Sequence, residues 1–193
     1  MKAKQLVSKM MGLFMSSSVF LGLMSCSTQM SESKLNPSLG NNGNFEIVEE
    51  KLPVNWLVYT KNTVKTGDFD FIFDNTDFKS GKQSLRFDVK NCSAEGGWYS
   101  PGICQEITAK SGEEFSISFW AKNSGSEFSF NTAGISTFGK EGTNIIKSTN
   151  NSGEWVQYKT TYKIPENMNK LRIEFNVLQA GTVWIDDVVV ERI

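Results

Sequence analysis

Along much of the chain apolar and polar residues alternate. Leu85, Phe87 and Val89 alternate with Arg86, Asp88 and Lys90; Phe115, Ile117, Phe119 and Ala121 with Ser116, Ser118, Trp120 and Lys122; Leu171, Ile173, Phe175 and Val177 with Arg172, Glu174 and Asn176. A period of two turns one face to a core and the other to solvent, as in antiparallel sheets covered on one side. Weaker strands are predicted at 45–48, 56–60, 69–73, 102–107, 128–132, 156–162 and 183–190, separated by turn formers such as KSGK, AEGG, KSGE, NSGS, NNSG and QAGT. No segment has a helical period. Many short strands with regular turns predict an all-β fold, a two-sheet antiparallel β-sandwich.

The front of the chain is patterned differently. Lys2, Lys4 and Lys9 accompany an apolar stretch from Met10 to Met24 that Ser16, Ser17 and Ser18 interrupt. A membrane span needs about 20 apolar residues, so residues 1–25 fit a secretory signal. The segment ends in Leu23, Met24, Ser25 and Cys26, which resembles the lipobox of bacterial lipoproteins. That resemblance implies cleavage before Cys26 and palmitate-like acyl chains on the new N-terminal cysteine. At about 0.8 kcal/mol per buried methylene such chains hold a protein to a membrane, here the bacterial cell envelope and its outer membrane. Residues 26–44, with Ser, Asn, Gly and one Pro and no apolar period, then read as a flexible tether. The Ser31-x-x-Lys34 spacing in it has nothing to hold it together and carries no chemistry.

Composition narrows the function. Removing the three lysines of residues 1–25 from 20 basic residues leaves 17 against 21 acidic ones, so nucleic acid is not an expected partner. Residues 45–193 make one domain, large enough to bury its own core and essentially the whole mature protein. The sequence contains no histidine, which removes the usual general base, the Ser-His and Cys-His nucleophile systems and the commonest zinc ligand. An enzyme would need two distant carboxylates. The adjacent pairs Glu113 with Glu114 and Asp186 with Asp187 do not qualify, because neighbours on a strand point to opposite faces. Cys92 and Cys104 bracket a turn-rich loop in an exported chain, and a disulfide between them is expected, contributing on the order of 3 kcal/mol.

Four segments, NNGNFE at 41–46, SGKQSLRF at 80–87, EEFSISFWAK at 113–122 and GTVWIDDVVVE at 181–191, occur in the order and spacing of a known family. Together with EWVQYKTTYKIP at 154–165 they resemble the carbohydrate-binding modules of families 4, 9 and 22. The resemblance implies a jelly-roll sandwich of the galactose-binding type, with a glycan groove on one concave sheet and a structural calcium ion elsewhere. The matching calcium positions are Glu46, the backbone around Lys82, and Asp186, which would clamp the first strand to the last.

A pyranose has an apolar C–H face and a rim of hydroxyls, so its site needs an exposed aromatic plate beside planar hydrogen-bonding groups. Trp98 and Tyr99, in the glycine-flanked GGWYSPG loop, are the expected plate. Arg172, Glu174 and Asn176 form the expected polar row, with Gln105 and Trp120 as further candidates; Trp56 and Tyr59 are assigned to core or loop. The expectation is non-catalytic glycan binding by a lipid-anchored protein. The alternative is an assembly subunit that binds another protein through the same sandwich.

Overall fold

The computed structural model describes residues 31–32 by backbone, and 41–148 and 152–193 in full. The elements are β1 (Ser31–Glu32), β2 (Val48–Glu49), β3 (Leu52–Pro53), β4 (Leu57–Tyr59), β5 (Asp68–Asp74), β6 (Ser84–Asn91), β7 (Gly102–Thr108), β8 (Glu114–Ser124), β9 (Phe128–Ser136), β10 (Gly139–Ser148), β11 (Trp155–Lys163), β12 (Lys170–Val177) and β13 (Gly181–Arg192). Among the described residues there is no α-helix, only one 3-10 turn at Gly97–Tyr99. Two antiparallel sheets face each other, one ordered β1-β4-β7-β12-β9-β10 and the other β11-β8-β13-β6-β5. The expected two-sheet sandwich is the fold.

The alternating strands lie where their pattern predicts. Leu85, Phe87 and Val89 from β6, Phe115, Ile117 and Phe119 from β8, and Leu171, Ile173, Phe175 and Val177 from β12 are all at most 5% exposed in a single core. Aromatic rings cross the gap between sheets: Phe119 stacks on Phe130 at 4.3 Å, and Phe87 on Phe175 at 6.3 Å. Burying such a side chain stabilises the fold by about 1.5–3 kcal/mol, and the pairing geometry adds to it.

Part of the outer face of the second sheet is covered by the chain itself. The loop after β5 is drawn onto it by Asp74 and Asp77: Trp184 Nε1 donates to Asp74 Oδ2 at 2.9 Å, Trp155 Nε1 to Asp77 Oδ1 at 3.0 Å, and Lys122 Nζ to Asp77 Oδ2 at 2.6 Å. Burial opposes ionisation of Asp74, but hydrogen bonds from Thr76, Trp184 and Arg86 outweigh it and hold its carboxyl well below the usual carboxylate range.

Three expectations change. The disulfide is absent: Cys92 and Cys104 are free thiols. Cys104 sits opposite Glu174 in the middle of the β7/β12 pair, whereas the Cys92 thiol meets the carbonyl of Val177 at 3.6 Å. Val177 is three residues beyond Glu174, about 10 Å along the strand, which is beyond the reach of a disulfide. Of the predicted strand at 45–48 only Val48 is extended, opening the short β2/β3 hairpin; Phe45, with a φ of 54°, closes a turn from Asn42. Within the stretch read as a tether, Ser31–Glu32 pairs with Val58 and Leu57 at the sheet edge.

Candidate functional site

An open cleft of about 600 Å³ lies on the outer face of the first sheet. Its floor is a consequence of alternation on β12. Because Leu171, Ile173, Phe175 and Val177 are fully buried in the core, the residues between them leave by the other face. Register adds their neighbours: Asn131 and Ser129 of β9 stand opposite Glu174 and Asn176, and Glu106 and Cys104 of β7 opposite Arg172 and Glu174.

Glu174 is only 4% exposed, and a buried carboxylate needs partners. Its Oε1 accepts from the Tyr59 hydroxyl and, at 3.5 Å, from Arg172 Nη2. Arg172 also donates to the Tyr59 oxygen at 2.7 Å and to Glu106 at 3.2 Å, and Glu106 takes Lys170 at 2.7 Å. Burial, then the neighbouring Cys104 and Glu174, pushes the Tyr59 phenol far above its usual range, so it remains a donor. Burial likewise raises the Cys104 thiol, which stays neutral beneath the cleft floor.

One wall is aromatic. Gly96 and Gly97 have φ of 79° and 57°, a region glycine enters without penalty, and they turn the chain into the 3-10 turn that lifts Trp98 and Tyr99 out of the sheet. These rings are 57% and 55% exposed and lie 6.0 Å apart at 69°. Asn176 fixes the loop from below. Its Oδ1 accepts the Gly97 N–H at 2.9 Å and its Nδ2 donates to the Gly97 carbonyl at 3.0 Å. Ser100 Oγ completes the brace, donating to the Ser93 carbonyl at 2.5 Å and accepting from Gly96 N–H at 2.9 Å. A methyl group on Gly102 would run into the Phe175 carbonyl and Asn176, so the bare glycine is what lets Asn176 reach the loop. The opposite wall is β10, with Lys140, Thr143, Ile145 and Lys147 lining the cleft.

Four of the seven predicted glycan-binding residues therefore meet here: Trp98, Tyr99, Arg172 and Glu174. Asn176 shares their face but is fully buried, and its amide is committed to Gly97. Gln105 belongs to the opposite side of β7, where its Nε2 donates to the carbonyls of Asn41 and Asn55 at 3.1 and 2.8 Å. Trp120 is on the other sheet with Lys79 Nζ 3.8 Å above its ring. Tyr59, assigned to core or loop, is the floor residue that reasoning from sequence missed. The whole of β10 was missed as well.

The calcium positions do converge, around the loop 79–83. Glu46 Oε1 accepts the N–H groups of Lys82 and Gln83 at 2.6 and 3.1 Å. Asp186, fully buried, accepts those of Lys79, Ser80 and Asp187 at 2.8, 3.2 and 2.8 Å. Burial pushes its carboxyl up to about 6 in spite of these bonds. These oxygens face donors, and among the described residues no three acidic or cysteine side chains are grouped to hold an ion. A calcium ion takes six to eight oxygens, so most would come from backbone carbonyls.

A sandwich with a polar floor, an aromatic wall and an open cleft defines a ligand-binding module of the jelly-roll class. The family model described as carbohydrate binding domain (CBM_4_9) matches residues 38–181, and the chain belongs to that family. Among solved structures it is similar to a CBM4 module, with 18% identity over 79% of this chain and 99% of that one and a TM-score of 0.58. It is also similar to the C-terminal family 22 carbohydrate binding module of Clostridium thermocellum Xyn10B, with 16% identity over 78% and 95% of the two chains and a TM-score of 0.54. The enzymatically active domain of tailspike protein 4 from bacteriophage CBA120 matches with 19% identity and a TM-score of 0.58 over 79% of this chain but only 21% of its own. No curated protein matches.

Replacing Asn176 with Ala removes both bonds to Gly97; the half-buried Gly97 N–H loses its acceptor while the carbonyl keeps the Ser100 N–H, at a cost of about 1 kcal/mol. The expected result is faster amide hydrogen exchange across residues 96–100 with the rest of β12 still protected; unchanged exchange in that loop would show that Ser100 alone holds it.

Proposed function

We propose that the protein binds glycan chains in this cleft and does not transform them. The observation that carries the reading is the pair of exposed rings, Trp98 and Tyr99, standing on a braced loop over a floor of hydrogen-bonding side chains. The rings offer a stacking surface for the C–H face of a sugar. Asn131, Ser129 and the outer edge of the Arg172–Glu174 pair offer donors and acceptors for its hydroxyls. Membership of the carbohydrate binding domain family supports the same reading.

On a glycan array, Trp98→Ala and Tyr99→Ala are each expected to weaken binding about tenfold or more, as for a central aromatic anchor. Binding unaffected by both substitutions would move the site away from the cleft, and an array with no bound glycan would favour a protein partner instead.

The proposal also places the module at the bacterial outer membrane through lipid on Cys26, a residue outside those described. Wild-type protein is then expected in the membrane fraction and Cys26→Ala protein in the soluble fraction; retention of the variant would require another anchor. A structural calcium ion beside Glu46, Lys82 and Asp186 completes the reading and rests on the family resemblance. Such an ion would raise the melting temperature, so chelator is expected to lower it by several degrees; a melting temperature indifferent to chelator would leave the clamp to its N–H donors alone.

A further inference from the structure

The two walls of the cleft differ in charge. The cleft is lined by Lys140, Lys147 and Arg172 against Glu95 and Glu174, whereas the chain without residues 1–25 has more acids than bases. Arg172 and Glu174 neutralise each other on the floor. Lys140 Nζ stands 3.9 Å from Glu174 Oε2, a long ion pair outside hydrogen-bonding distance, while Tyr59 and Arg172 serve the other oxygen, Oε1. Lys147 is exposed, and among the described residues no carboxylate lies within 4.0 Å of its ammonium. Glu95 belongs to the opposite wall. The β10 wall thus presents one ammonium, Lys147, with no carboxylate partner among the described residues and a second, Lys140, held only by a long ion pair.

Register puts that charge on the cleft side. Lys147 pairs with Ser129 and Lys140 with Ile135 of β9, and both partners line the cleft. Seven residues of strand with one bulge separate the lysines, about 20 Å, with Thr143 and the half-exposed Ile145 between them. Lysine on an edge strand also discourages edge-to-edge pairing. That role does not require both ammonium groups to share the ligand's face.

We infer that the cleft selects anionic polysaccharide over neutral chains of the same linkage, with Lys147 and Lys140 meeting carboxylate or sulfate groups while Trp98 and Tyr99 stack on the rings. This deepens the glycan-binding reading and rests on it.

The test uses matched probes: polygalacturonate and alginate, each against its carboxyl-reduced form, and the sulfated galactan carrageenan against its desulfated form. Binding of the full chain is measured at low and high salt. At least one charged probe should bind more tightly than its neutral counterpart, with the advantage shrinking as salt rises. Lys140→Gln/Lys147→Gln should reduce that advantage roughly five- to tenfold, as for two exposed ion pairs, and change binding of the neutral form by less than that. Lys159→Gln/Lys163→Gln, on β11 of the other sheet, should keep it. Preference for the uronates or for the sulfated probe distinguishes the two sources of charge. Equal binding of charged and neutral forms, or a preference that survives loss of both cleft lysines, overturns the selectivity and leaves glycan binding standing. No binding to any probe, charged or neutral, defeats both readings.

Discussion

The structure depends on one constraint, that a strand with a buried apolar face must send its intervening residues out of the other side. On β12 this places Leu171, Ile173, Phe175 and Val177 in the core and Arg172, Glu174 and Asn176 on the cleft side. Glu174 cannot be left alone there. At 4% exposure its carboxylate is stable only with the Tyr59 hydroxyl and Arg172 beside it. A buried pair of this kind contributes little net stability compared with apolar replacements, but removing one partner costs about 3–5 kcal/mol. The network therefore fixes side-chain positions on the floor more than it strengthens the fold.

The same sandwich has a second outer face, and its tryptophans are used internally. Trp184 and Trp155 donate to Asp74 and Asp77, and Trp120 lies under the Lys79 ammonium. Trp56 is buried beside Phe45 with its indole N–H on the Asn42 carbonyl. Of the five tryptophans only Trp98 is largely exposed. The second sheet binds its own loop where the first sheet is left open.

What could be read from the sequence follows from this contrast. Strands buried on one face announce themselves by alternation, and β6, β8 and β12 were legible in register as well as in position. The sequence of β10, GKEGTNIIKS, has no period because nearly all of it is exposed. A strand at the edge of a sheet with neither face fully covered has no apolar residues to repeat, so an entire wall of the cleft was invisible. Tyr59 failed for the opposite reason: its ring is fully buried, as a core residue should be, while only its hydroxyl reaches the cleft network. Period two predicted the face of Asn176 correctly but not its occupation. A loop 79 residues away in sequence folds over it and takes both ends of its amide. Proximity in sequence misled for Cys92 and Cys104, since the turn between them carries the chain from one sheet to the other.

Binding a flexible polysaccharide costs ordering entropy on both sides, and the protein's share is reduced by whatever is already fixed. Here the aromatic wall is fixed by bonds to its backbone, so Trp98 and Tyr99 can remain more than half exposed without relying on ring packing for their position. Glycine is required at three points of this device: Gly96 and Gly97 for their left-handed turn, and Gly102 to let Asn176 approach. The floor is fixed by the Tyr59–Glu174–Arg172 network, and the third side, β10, is tied to β9 by backbone pairing across a bulge. Its lysines, on flexible stems, retain the most freedom of any groups in the cleft. Stacking and hydroxyl contacts are thus made by prearranged groups. Charged substituents on a chain would meet adaptable groups, which can follow an acid group whether it sits on the ring or on a sulfate ester.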